Sequence, residues 1–130
     1  MTRKEGEPLT GERVLIVEDR YLIASEMADE VQRMGGKVLG PSRDLKAAQE
    51  ILAREGADIA LLDINLDGEE VYSLAGQLAR SGVPFIFLTG YDADVLPAEW
   101  RGRPRITKPV SARALREELS KISGARKPAA

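Results

Sequence analysis

The sequence predicts an α/β fold, a mostly parallel sheet of five strands with helices on both faces. Three observations carry this. Short apolar runs that do not alternate with polar residues recur at Val14 to Val17, Ile59 up to Asp63 and Pro84 to Leu88, as strands buried on both faces require, with two weaker strand segments beside them. Between them lie longer stretches whose apolar residues fall at helical spacing. The order is strictly strand then helix, (βα)5, and no internal repeat or linker divides the 130 residues.

In order along the chain, Met1 to Gly11 has no periodic apolar pattern and is expected to be a flexible lead-in before a domain spanning 12–123. Val14 to Val17 is the first buried strand. Ile23, Met27, Val31 and Met34 give a helix over Tyr21 to Met34, stopped by Gly35-Gly36. Lys37 to Gly40 is a weak second strand, followed by a turn at Pro41-Ser42. Asp44 caps a helix through Arg54 with Leu45, Ala48, Ile51 and Leu52 on one face. Ile59 to Asp63 is the central strand. Asp58 opens it, ~16 Å from Asp63 at ~3.3 Å per residue, and reads as a solvated strand start. Asp67-Gly68 is turn chemistry leading to a helix from about Glu69 to Arg80. Pro84 to Leu88 is the fourth strand, ending on Thr89. From Asp92 to Trp100 the pattern is poor and Pro97 prevents a long helix; Trp100 is placed against the fifth helix or a loop. Arg103 to Thr107 is a polar fifth strand, hence at the sheet edge. Ser111 caps a final helix with Ala112, Leu115, Leu119 and Ile122 facing in. Residues 124–130 read as a flexible tail.

Composition narrows the chemistry. The chain has no cysteine and no histidine. Thiol chemistry, zinc fingers, Ser-His-Asp catalysis and a phosphohistidine on this chain are thereby excluded. A net charge of -2 argues against a nucleic-acid binder. No apolar run approaches the ~20 residues of a membrane span, and no signal-peptide core follows Met1, so a soluble cytoplasmic domain is expected.

The carboxyl ends of the strands are where open α/β sheets keep their chemistry. There stand Glu18 and Asp19 after the first strand, Asp63 after the third, Thr89 after the fourth and Lys108 after the fifth. Each alone has a plainer reading: an N-cap, a strand terminator, a solvated lysine before proline. Together they can serve phosphoryl transfer. Clustered carboxylates repel, by ~4 kcal/mol for two charges at 4 Å and an effective dielectric near 20. A divalent cation with oxygen ligands, of which Mg²⁺ is the natural choice, relieves this. A carboxylate can attack phosphorus to give an aspartyl-phosphate, while a lysine and a hydroxyl stabilise the phosphoryl oxygens.

From Arg13 to Ile122 this set, in order and at suitable spacing, resembles the receiver domain of bacterial two-component response regulators. The resemblance implies a flavodoxin-like fold with strand order 2-1-3-4-5. It also implies that Asp63 is the phosphoacceptor. Asp19 would ligate Mg²⁺ directly, Glu18 mainly through water, and the Asn65 carbonyl would complete the protein ligands; Thr89 and Lys108 would contact the phosphoryl group. The implied partner is a sensor histidine kinase or a histidine phosphotransfer protein, and the implied output, with no effector domain in these residues, is protein–protein signalling. No enzymatic activity is expected beyond the domain's own phosphorylation and dephosphorylation.

The chain departs from the family where an aromatic usually precedes the lysine by three residues: Arg105 stands there. The stretch Phe87-Leu88-Thr89-Gly90-Tyr91-Asp92 resembles the FAT GUY subgroup of α-proteobacterial receivers, often stand-alone and tied to kinases of the HWE or related type. Arg105 will not readily bury in an apolar slot. Tyr91 is therefore the expected reporter, with phosphorylation changing mainly residues 89–100. The sharp turn after the fifth strand also leads us to expect a cis Lys108–Pro109 bond. Rival readings are a pseudo-receiver that binds partners without phosphorylation, a haloacid dehalogenase-type hydrolase, for which Asn65 stands where a second acid is needed, and a flavodoxin-type cofactor binder, whose phosphate Glu18-Asp19 would repel.

Overall fold

The computed structural model describes residues 7–66, 71–90 and 96–126. Its elements are β1 (Arg13–Val17), α1 (Tyr21–Arg33), β2 (Lys37–Ser42), α2 (Leu45–Glu55), β3 (Ile59–Asp63), α3 (Tyr72–Arg80), β4 (Phe85–Thr89), a 3-10 turn (Ala98–Trp100), β5 (Arg105–Thr107) and α4 (Ala112–Arg126). All strand pairs are parallel, in the order β2-β1-β3-β4-β5. This is the flavodoxin-like arrangement, with β2 and β5 at the edges.

Alternation along each strand sorts the side chains into two cores. Leu15, Val17, Ala60, Leu62, Phe85 and Phe87 pack with Ala48 of α2 and Leu74, Ala75 and Leu78 of α3. Val14, Ile16, Ile59, Leu61, Ile86 and Leu88 pack with Met27 and Val31 of α1 and Leu115 and Leu119 of α4. The unbroken apolar runs thus feed both faces at once. Asp44 caps α2 by accepting from the Ala47 N–H at 2.8 Å, and Ser111 Oγ accepts from the Ala114 N–H at 3.0 Å.

Several expectations need correction. Residues 7–11 are not a loose lead-in. Leu9 is fully buried in the α1/α4 core, its N–H donates to the Met34 carbonyl at 2.9 Å, and Ser123 Oγ donates to the Pro8 carbonyl at 2.9 Å. A lone leucine between Pro8 and Thr10 has no period to betray it. We expect Leu9→Ala to cost about 2–4 kcal/mol, measured by urea unfolding, because a buried leucine leaves a cavity; a loss under about 0.5 kcal/mol would match a surface position.

At the other end, α4 continues through Arg126, so residues 124–126 are helical rather than tail; residues 127–130 lie outside the described set. β2 also runs on past Pro41 to Ser42. The register slips by one residue between Leu15↔Leu39 and Val17↔Ser42, a bulge on an edge strand, where proline is tolerated. Gly40 makes this possible: its φ is +90°, and a Cβ there would sit 2.6 Å from the Ser42 nitrogen. The Gly40–Pro41 and Lys108–Pro109 bonds are both cis, the second as expected.

The fifth expected helix, between β4 and β5, is represented among the described residues only by the 3-10 turn. Trp100 does not meet the last helix. It packs on the opposite face, its ring edge-on to Phe85 and Phe87 with centroids 5.8 and 6.1 Å away, and Arg103 lies 4.9 Å over the Phe85 ring. Asp58 is more than a solvated strand start: it accepts from the Arg13 backbone N–H at 2.7 Å and pairs with its guanidinium at 3.2 Å.

Candidate functional site

Strand register brings the site together. Val17 lies opposite Leu62, Asp63 opposite Leu88, and Thr89 opposite Thr107, so the residues that end or follow β1, β3, β4 and β5 meet at one edge of the sheet. Short backbone bonds fix the ends: the Lys108 N–H donates to the Thr89 carbonyl at 2.7 Å, the Ile64 N–H to Leu88 at 3.1 Å, and the Glu18 N–H to Ser42 at 3.0 Å.

Glu18 and Asp63 are each 1% exposed. Lys108 Nζ reaches both, 3.3 Å from Glu18 Oε2 and 3.1 Å from Asp63 Oδ1, with its own side chain only 15% exposed. Asp19 joins them: one carboxylate oxygen from each of Glu18, Asp19 and Asp63 lies within 4.8 Å of the others. The Asn65 N–H donates to Asp63 Oδ1 at 2.9 Å and the Arg20 N–H to Glu18 Oε1 at 3.2 Å, so the flanking backbone is pinned to the acids. Thr89 is fully buried, and its hydroxyl has no partner among the described residues.

The electrostatics are unbalanced. Three carboxylates face one lysine. Burial first, and then the charge of Asp63, push the Glu18 carboxyl up to about 7 from an ordinary value near 4.5, against the opposing pull of the Arg20 N–H and of Lys108. An all-oxygen donor set with surplus negative charge, two of its acids buried and Asp19 half-buried, beside an unsatisfied hydroxyl, fits a hard divalent cation such as Mg²⁺.

Every residue singled out from the sequence for acceptor or metal chemistry, namely Glu18, Asp19, Asp63, Asn65, Thr89 and Lys108, thus lies at this edge. The two candidates for a switch do not join it. Arg105 is exposed, with its nearest hydrogen-bond acceptor the Arg101 carbonyl at 3.5 Å, and Tyr91 lies outside the described residues. Three features had no sequence signal strong enough to find them. Glu30, 6% exposed, joins α1 to α4 through Arg116 at 3.0 Å and also pairs with Arg33 at 3.2 Å. Arg103 covers the aromatic group. Arg20 lines the mouth of the site with Ile23, Asn65, Gly90, Lys108 and Pro109.

Comparison with known proteins agrees with this geometry. Residues 14–120 match the family model of the response regulator receiver domain. The chain is 39% identical over 108 residues to the sensory transduction protein RegX3 of Mycolicibacterium smegmatis, covering 78% of this chain and 46% of that protein. It spans about half the length of the curated relatives it matches. Among solved structures it resembles SdrG from Sphingomonas melonis Fr1, with a TM-score of 0.76 at 32% identity, covering 88% of this chain and 97% of that one. It also resembles the receiver domain of the PhyR response regulator of Erythrobacter litoralis, with a TM-score of 0.78 at 31% identity, covering 92% and 95%. With the strand order, the lysine-bound acid pair and the family match in agreement, this chain belongs to the response regulator receiver domains of two-component signalling.

Proposed function

We propose that the domain accepts a phosphoryl group on Asp63 from the phosphohistidine of a sensor histidine kinase, of the HWE or a related type, or of a histidine phosphotransfer protein. The observation that carries this is the buried Asp63 carboxylate, bonded to Lys108 and clustered with Glu18 and Asp19. In the transfer an Asp63 oxygen forms a bond to phosphorus while the P–N bond breaks; the imidazole nitrogen keeps the electron pair and takes up a proton from solvent. Lys108, anchored at β5, neutralises charge on the phosphoryl oxygens, and the free Thr89 hydroxyl donates to one of them. Glu18, Asp19, Asp63 and the Asn65 carbonyl would hold Mg²⁺, which when bound offsets the surplus negative charge. The signal then leaves by protein–protein contact in the cytoplasm. Tyr21 and Leu22, 82% and 73% exposed at the start of α1, offer apolar surface for a partner to cover. The test is intact mass spectrometry after incubation with acetyl phosphate and Mg²⁺. One added phosphoryl group, dependent on the metal, is expected; an unchanged mass would favour the phosphorylation-independent binding module.

The raised Glu18 value sets a pH dependence. The folded state holds this proton more tightly than the unfolded chain, so metal-free stability falls as pH rises from about 4.5 to about 7. A metal must displace the same proton. Apparent Mg²⁺ affinity should climb by up to about tenfold per pH unit below that value and level off above it. Titration of Mg²⁺ by NMR at several pH values checks this; a flat profile would contradict it.

A further inference from the structure

Lys108 and Asn65, which contact Asp63, also line a cavity of about 430 Å³ together with Arg20, Ile23, Gly90 and Pro109. Two of these side chains are cations, and they stand in different conditions. Lys108 is already committed to Glu18 and Asp63. Arg20 is exposed, and among the described residues its guanidinium makes no ion pair. Its backbone, by contrast, is fixed. The Arg20 N–H donates to Glu18 Oε1, and its carbonyl accepts from the Ala24 N–H at 2.9 Å in the first turn of α1. An uncommitted cation is therefore tethered at a rigid point on the rim of the site.

The charge of the site gives that cation a task. A phosphodonor is an anion, and it must approach three carboxylates balanced by one lysine. Because Lys108 is held down by the acids, Arg20 is, among the described residues lining this cavity, the cation left to meet phosphoryl oxygens arriving from solvent. The planar fork of a guanidinium matches those oxygens with paired N–H donors. A purely solvated arginine would also be exposed, but it would have no reason to line this cavity from a backbone anchored to Glu18.

We propose that Arg20 is a specificity-determining residue at the mouth of the site: it grips the phosphoryl oxygens of the incoming donor and ranks small donors by their negative charge. This rests on Asp63 being the phosphoacceptor. The experiment compares wild type, Arg20→Gln and Arg20→Lys at saturating Mg²⁺, following phosphorylation by intact mass over a range of donor concentrations. Acetyl phosphate, a dianion near neutral pH, and phosphoramidate, a monoanion, are the two probes. Arg20→Gln should need about five- to tenfold more acetyl phosphate for the same rate, with a smaller change for phosphoramidate, and Arg20→Lys should recover most of the loss because the charge is kept. The acetyl phosphate effect should shrink with added salt. Equal labelling of wild type and Arg20→Gln overturns the role of Arg20 alone. So does an equal loss with both donors, or a loss accounted for by weaker Mg²⁺ binding, since either marks a merely structural effect. A wild type labelled by neither donor overturns the Asp63 reading, and this inference with it.

Discussion

Asp63→Asn is expected to abolish phosphorylation by acetyl phosphate while leaving the fold intact and making the metal-free protein more stable. The loss is total because an amide cannot form the acyl phosphate that a carboxylate forms. The gain in stability follows from the same burial that makes the site reactive. The charge of Asp63 is the second largest cause of the raised Glu18 value, after burial. Removing it lets Glu18 ionise more easily, and Lys108 keeps Glu18 as a partner at 3.3 Å. A gain in stability near neutral pH is therefore the expected direction in urea unfolding. Labelling that persists in the variant would place the acceptor elsewhere. Labelling lost together with the fold would show only that the carboxylate is structural.

Lys108→Met should carry the largest stability cost of any single change in the site, and the cost should depend on pH. The substitution leaves Glu18 and Asp63 buried, 0% and 1% exposed in their side chains, with no cation between them. Breaking a buried pair by removing one partner costs about 3–5 kcal/mol. Lys108 lowers the Glu18 value, so its removal drives that value further upward. Near or below about pH 5 Glu18 is protonated in both proteins and the penalty shrinks; it grows as pH rises above about 7 and is larger at about pH 8. Mg²⁺ should restore part of the loss by supplying the missing positive charge. Unfolding of both proteins at the two pH values, with and without Mg²⁺, measures this. A penalty independent of pH would mean that the lysine stem is needed for packing rather than for its charge.

The acid site and the sheet could be read from the sequence for one shared reason. The three central strands are unbroken apolar runs, and Glu18, Asp63 and Thr89 are each the first polar residue after such a run, so Asp63 marks both the end of β3 and the place of the chemistry. Where that coupling fails, so does the reading. Leu9 is a single apolar residue anchored by its own N–H to Met34 and through the neighbouring Pro8 carbonyl to Ser123, contacts remote in sequence. Pro41 suggests a turn, yet the strand continues because the edge of a sheet can absorb a bulge. Trp100 and Arg103 meet Phe85 across a fold that no local pattern encodes. Glu30 looks like an ordinary polar position on α1 until α4 brings Arg116 against it. Gly124 and Ala125 carry no periodic signal, so the extension of α4 was not legible either.

The alternation of the central strand between two cores has a consequence for how this domain can change over evolutionary time. Ile59 and Leu61 serve the α1/α4 side and Ala60 and Leu62 the α2/α3 side, with Asp63 next in that sequence. Substitutions within β3 can be absorbed one by one. Deleting or inserting a single codon there cannot, because every later residue of the strand changes sides, carrying the carboxylate away from Lys108 as the two cores exchange partners. Length variation among descendants of this domain should therefore gather in the connections at the amino-terminal ends of the strands, such as Gly82-Val83, and leave the reading frame from Ile59 to Asn65 unbroken.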